Sequence, residues 1–156
     1  MFSMNMKGSL ATQSGVPVTS VHKSEADGIQ IFYRSAGEAA SPVLLLLDGF
    51  PASSFMFRDL IPRLADQYRV IGPDLPGFGF TKVPEGRKYA FLFEALARTL
   101  GAFTDALGLK RYAIYVFDYG APTGFRLAMA HPERVTSIVS QNGNAYEEAL
   151  NRLITD

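Results

Sequence analysis

The sequence predicts an α/β fold, a mostly parallel sheet with helices on both faces. Three observations carry that expectation. From residue 43 onward, apolar strand-like runs alternate with helix-like segments across short loops, the order that builds a parallel sheet. The run Val43-Leu44-Leu45-Leu46-Leu47 has no polar face, as a strand covered on both sides requires. Ahead of it, Ile29, Ile31 and Tyr33 alternate with Gln30, Phe32 and Arg34, the pattern of a half-buried strand in an antiparallel lead-in.

In chain order, residues 1–16 are rich in Ser, Gly and Met and read as a loose segment. Residues 18–21 form a short edge strand, 29–34 a second strand, 37–42 a turn, and 43–47 the buried strand. Residues 55–67 read as helical, with Pro62 starting a second short turn rather than sitting mid-helix. Residues 69–71 are the next buried strand, followed by a loop holding Pro73, Pro76, Gly77, Gly79 and Pro84. Leu92, Leu96, Leu100, Phe103 and Leu107 then mark one stripe of a helix that stops at Gly108. Residues 113–117 form a strand, 122–130 a helix halted by Pro132, 135–139 a further strand, and 146–153 a short helix.

Composition narrows the function classes. The 156 residues carry equal numbers of basic and acidic side chains, and no Lys/Arg cluster stands out. Nucleic acid and anionic membrane therefore have no electrostatic handle. The absence of cysteine excludes disulfides, thiol nucleophiles and cysteine metal sites, and neither a metal nor a cofactor is expected. Residues 1–11 lack a continuous apolar stretch, so no signal peptide is read there. The longest aliphatic run is far too short to span a bilayer. A cytoplasmic location is the resulting expectation.

Ligand sites in parallel sheets lie at the carboxyl ends of the strands, and two loops there are unusual. One is Asp48-Gly49-Phe50-Pro51. The other, Phe117-Asp118-Tyr119-Gly120-Ala121-Pro122, places one acidic residue between a strand and a helix, with small residues just after it. A tight strand–turn–helix bend that projects a nucleophile needs small neighbours. The helix N-terminus behind it favours negative charge and offers N–H groups to an oxyanion. An Asp at such a junction otherwise serves as a helix cap.

Asp118-Tyr119-Gly120, Gly49-Phe50-Pro51, Pro73-Asp74-Leu75-Pro76-Gly77-Phe78-Gly79 and Ala130-His131-Pro132-Glu133-Arg134-Val135 together resemble the epoxide hydrolase and haloalkane dehalogenase branch of the α/β-hydrolases. The resemblance runs from about residue 29 to residue 144 and covers only the first part of that fold. It implies a truncated α/β-hydrolase in which 17–144 form a partial core, 145–156 lead toward a cap, and the cap and last strands are absent. By the same resemblance Asp118 is the nucleophile, attacking an alkyl carbon to form an ester. The backbone N–H groups of Tyr119 and Phe50 form the oxyanion hole, the bond before Pro51 is cis, and Asp48, Pro51 and Tyr119 contact a small apolar substrate. The substrates implied are epoxides or alkyl halides.

Three departures set limits. Where the family usually has histidine, this chain has Asp48. A carboxylate there either faces the pocket of Asp118, so that the two repel, or accepts loop N–H bonds with no catalytic part, which is the favoured reading. Val116 stands where the elbow often has Gly; a branched side chain there either crowds the turn or is an ordinary β-former at a strand end. The two histidines, His22 and His131, are both misplaced for a general base. His131 lies thirteen residues after Asp118 across a helix, on the order of 15 Å or more away. It reads as a helix-end residue interacting with terminal carbonyls. No tryptophan follows the nucleophile position, and Tyr89, Tyr112, Tyr115 and Tyr119 read as core or surface aromatics rather than acids.

Full turnover by this chain alone is therefore not expected. The competing reading is a non-catalytic remnant that binds or self-assembles. The strand edge at 135–139, left without a neighbour, implies a homo-oligomer. An ester hydrolase built on other residues is disfavoured, since Asp is a poor acyl acceptor beside Ser or Cys.

Overall fold

The computed structural model describes residues 17–144. The loose segment expected at 1–16 and the stub and helix expected within 145–156 lie outside the described residues.

Strands β1 (Ser20–Ala26) and β2 (Ile29–Ala36) form an antiparallel hairpin. Its turn is Asp27-Gly28, both in the left-handed region at φ 50° and 65°. An Asp-Gly pair between alternating residues is a strong hairpin signal, and it carries β1 five residues past the end expected from the sequence. The sheet continues with β3 (Val43–Leu47), β4 (Arg69–Pro73), β5 (Tyr112–Phe117) and β6 (Val135–Gln141). The spatial order is β1-β2-β4-β3-β5-β6, antiparallel up to β4 and parallel beyond it.

Helix α1 (Leu60–Leu64) covers one face; α2 (Phe93–Ala106) and α3 (Gly120–Ala130) cover the other. The aliphatic run of β3 explains itself in this arrangement. Leu45 and Leu47 join the core beneath α2 and α3 with Ile71, Phe103, Ile114 and Leu127, whereas Leu46 joins Phe57, Ile61 and Val70 beneath α1. Each of Leu45, Leu46 and Leu47 is fully buried, so the strand has two apolar faces because it has two covered ones.

Three local expectations need correction. The helical stretch at 55–67 divides into a 3-10 turn, Ser54–Phe57, and the short α1, but the second piece starts before Pro62, which lies inside α1. Pro62 is the third residue of that helix, where a missing N–H leaves no intrahelical bond unmade. In α2 the stripe is buried at Leu96, Leu100 and Phe103, but Leu92 is the exposed N-cap and Leu107 only half-buried at the other end. Helix α3 starts two residues earlier than expected, at Gly120, directly behind Asp118. No helix among the described residues is long and apolar enough to cross a membrane.

Candidate active site

Strands β3 and β5 are parallel neighbours, Leu47 opposite Val116, so the loops that follow them emerge side by side. Asp118 occupies the bend between β5 and α3 with φ 49°, a conformation that costs a non-glycine residue energy and marks a forced turn. The bend closes through the Ala121 N–H donating to the Asp118 carbonyl at 2.9 Å. Two glycines permit the approach. A Cβ on Gly120 would collide with the Leu47 carbonyl oxygen, and one on Gly49 would collide with Asp118 Cβ.

The side chain of Asp118 is half-exposed and its two oxygens are unlike. Oδ1 accepts from the Tyr119 N–H at 2.7 Å and from the Phe50 N–H at 2.8 Å. Oδ2 accepts no hydrogen bond among the described residues. Asp118 and the two amides expected from the sequence are thus brought together at one point, and the Phe50–Pro51 bond is cis. Tyr119 packs beside Phe50 at 5.8 Å and edge-on to Phe93 at 5.2 Å, while Phe50 meets Phe78 at 6.3 Å. These rings form an aromatic group on the loops that carry Asp118 and its two amides, with Phe50 64% exposed. Pro51 is exposed and lines a shallow surface pocket with Ala52, Phe55 and Arg58.

Asp48 stands apart from the carboxylate of Asp118. It is fully buried, and neither of its oxygens has a partner in full hydrogen-bond geometry among the described residues, although its own amide and that of Leu75 offset part of the burial penalty. The nearest like charge acting on it is Asp74 rather than Asp118. Burial first, and then the Asp74 charge, push the Asp48 carboxyl up to about 8. Val116 does not crowd the turn. It is buried against α3, and the side chain that would clash with it is missing because residue 124 is Gly. The space Val116 needs is taken from the helix, not from the turn.

Sequence reasoning missed the cluster that anchors the Gly49-Phe50 loop. Asp74, fully buried after β4, accepts from the Ser54 N–H at 2.8 Å, the Phe80 N–H at 2.8 Å and the Ser54 hydroxyl. Arg34 of β2 donates to Ser54 Oγ at 2.6 Å and stands 3.6 Å from Asp74 Oδ1. The signal was on the page: Asp74 belongs to the proline- and glycine-rich motif, and Arg34 is a charged residue in an otherwise half-apolar strand. Neither histidine approaches this site. His22 stacks on Tyr33 at 4.9 Å, and His131 is the C-cap of α3, its side chain between Gly101 and Glu133. Its backbone N–H reaches the Leu127 carbonyl at 3.0 Å; its imidazole does not. No group of three or more potential metal ligands occurs among the described residues.

With this geometry in view, residues 42–154 match the family model for the alpha/beta hydrolase fold. The chain belongs to the α/β-hydrolase family. Within it, the sequence is 55% identical over 130 residues to an uncharacterized hydrolase of Saccharomyces cerevisiae, covering 83% of this chain and 44% of that protein. It is 37% identical over 105 residues to haloalkane dehalogenase 2 of Mycobacterium tuberculosis, covering 67% of this chain and 36% of the relative. A crystal structure of an epoxide hydrolase from Vigna radiata superposes with a TM-score of 0.72 at 31% identity, over 78% of this chain and 38% of the other. This α/β-hydrolase chain therefore spans less than half the length of the relatives it matches, and its likeness to the dehalogenase and epoxide hydrolase branch is shown over that share.

Proposed function

We propose that Asp118 is a nucleophile toward saturated carbon, opening an epoxide or displacing halide from a small apolar substrate to leave an alkyl ester on the protein. The observation that carries this reading is the asymmetry of its carboxylate. Oδ1 is held by the Phe50 and Tyr119 amides, and Oδ2 is free. Attack by Oδ2 on an alkyl halide forms the O–C bond as the C–halogen bond breaks and halide leaves. Oδ1 then becomes the ester carbonyl oxygen, already facing two N–H donors. Those donors stand where negative charge would build if water attacked the ester carbon. That second step needs a base to take the water proton, and no imidazole among the described residues reaches Asp118. Ester formation is thus within the means of these residues, and ester hydrolysis calls on groups outside them.

Incubating the chain with a primary alkyl iodide and measuring intact mass tests the reading. One alkyl group should add per chain, and Asp118→Asn should abolish the addition. Rapid turnover by the 156-residue chain would overturn the account of the missing base; no addition at all would overturn the nucleophile.

A second reading, a self-assembling or binding module, is favoured by β6. Ile138 and Val139 are 41% and 53% exposed, and the strand pairs only with β5 among the described residues. An unpaired apolar strand invites a second copy of the chain. Light scattering that showed a monomer at high concentration would remove this reading.

A further inference from the structure

We propose that Asp48 is a positioning residue whose protonation keeps the 48–54 loop in the shape that aims the Phe50 N–H at Asp118. The inference rests on the Asp118 reading for its kinetic readout alone. Asp48 is the last residue before Gly49-Phe50, and its carboxyl is fully buried with both oxygens unpartnered. A buried carboxylate anion without donors is costly enough that the group neutralises instead. In this loop shape Asp48 is therefore the acid form.

The surrounding charges lead to the same state. Facing this region, β2 brings Arg34, the end of β4 brings Asp74, and the 3-10 turn brings the Ser54 hydroxyl. Helix α1 brings apolar Ile61, and β5 brings Tyr115, whose hydroxyl is bonded to Gln141. Asp118 meets the loop one residue on, at Gly49. Arg34, the single cation, is engaged by Asp74 and Ser54, and Asp74 already has three donors. One cation balances one carboxylate, and Asp48 is the second. The amides of Asp48 itself and of Leu75, with Arg34, offset only part of the penalty, and none meets hydrogen-bond geometry with the Asp48 oxygens.

When Asp48 ionises, the new charge demands donors that this shape lacks. The amides that follow it in the 49–54 loop are the ones nearest in the chain, and a loop that turns them inward takes the Phe50 N–H away from Asp118. Alkaline pH then weakens the grip on the Asp118 carboxylate through the loop.

The test follows alkylation of the intact chain by 1-iodobutane from pH 6 to 10, a probe whose displacement needs no proton. The wild-type rate should fall above about pH 8 and level off about a hundredfold lower, the loss expected of a misaimed carboxylate, while Asp48→Asn and Asp48→Ser stay flat. Carbon-detected NMR supplies the independent arm. The Asp48 carboxyl resonance, assigned by its loss in Asp48→Asn, should titrate near pH 8, and the Phe50 amide nitrogen should follow the same transition only in the wild type. An equal alkaline fall in wild type and Asp48→Asn overturns the proposal, as does a Phe50 nitrogen that ignores the titration. So does an Asp48 carboxyl that ionises in the ordinary range. If the wild type gives no adduct at any pH, the Asp118 reading fails, and the two NMR titrations decide Asp48 by themselves.

Discussion

Asp118 and Asp48 end neighbouring parallel strands, yet the fold treats the same side chain in opposite ways. Asp118 is half-exposed and held by two amides, one of them the first residue after its own bend; Asp48 is fully buried, and no donor among the described residues meets hydrogen-bond geometry with its oxygens. Residue type and position in the sheet are shared, so neither decides the chemistry. What decides it is the supply of N–H groups and water: one carboxylate is held by two amides at the surface, and burial raises the pKa of the other.

The largest effect expected is at the third carboxylate, Asp74, which has the partners that Asp48 lacks. It has Arg34, two backbone N–H groups and the Ser54 hydroxyl. Asp74→Ala strands Arg34 in the interior and frees both loops, which should cost about 3–5 kcal/mol by urea unfolding. A loss under about 1 kcal/mol would mean that the cluster behaves like a surface pair and does not anchor the loop. Next comes Gly49→Ala. Its new methyl group would push on Asp118 Cβ and move the Phe50 N–H off Oδ1, so the carboxylate loses its aim and alkylation by an alkyl iodide should slow about 10²-fold, the loss typical of a reacting group displaced by about 1 Å. A rate within a few-fold of wild type, in a chain that still folds, would show that the Phe50 contact is dispensable.

A smaller effect, with a definite sign, belongs to Asp48. Its folded pKa is raised from an ordinary 3.8 to about 8, so between those values the folded chain binds a proton that the unfolded chain has released. Stability then falls as pH rises from about 4 to 8 and levels off above. Asp48→Asn removes this contribution, so the variant should be more stable than wild type at pH 7.5 and the gap should close toward pH 4. A gap that does not change with pH, read from denaturant midpoints, would break the contrast between the two aspartates.

The legibility of this molecule follows the same division. The buried strand 43–47, the elbow at Asp118 and the paired loops were readable because each is fixed by local sequence: an aliphatic run, a small-residue turn, a proline-containing motif. The hairpin at Asp27-Gly28 was readable too, and was passed over because the alternation of β1 is weak, its residues being mostly exposed. The state of Asp48 was not readable. It depends on Asp74 and Arg34, which arrive from β4 and β2, and no spacing along the chain shows that Arg34 is already engaged. Val116 failed as a sequence argument for a similar reason, since the compensating Gly124 sits on the next helix and faces it only once the helix is packed.

The smallest effect expected is at His131, and its smallness is informative. Asp118 and His131 lie at opposite ends of α3, whose eleven residues span about 16 Å. The imidazole sits in the groove between α2 and α3 beside Gly101 and Glu133, on the helix face away from the bend. His131→Gln removes the last imidazole near the helix without touching the Phe50 or Tyr119 amides. Alkylation of Asp118 should then proceed within about twofold of wild type, the range of a surface change, and the ester should be equally long-lived in both. An adduct that persists much longer in His131→Gln would mean that this histidine reaches the ester after all, through a rearranged α3, and the separation between nucleophile and base would no longer describe the chain.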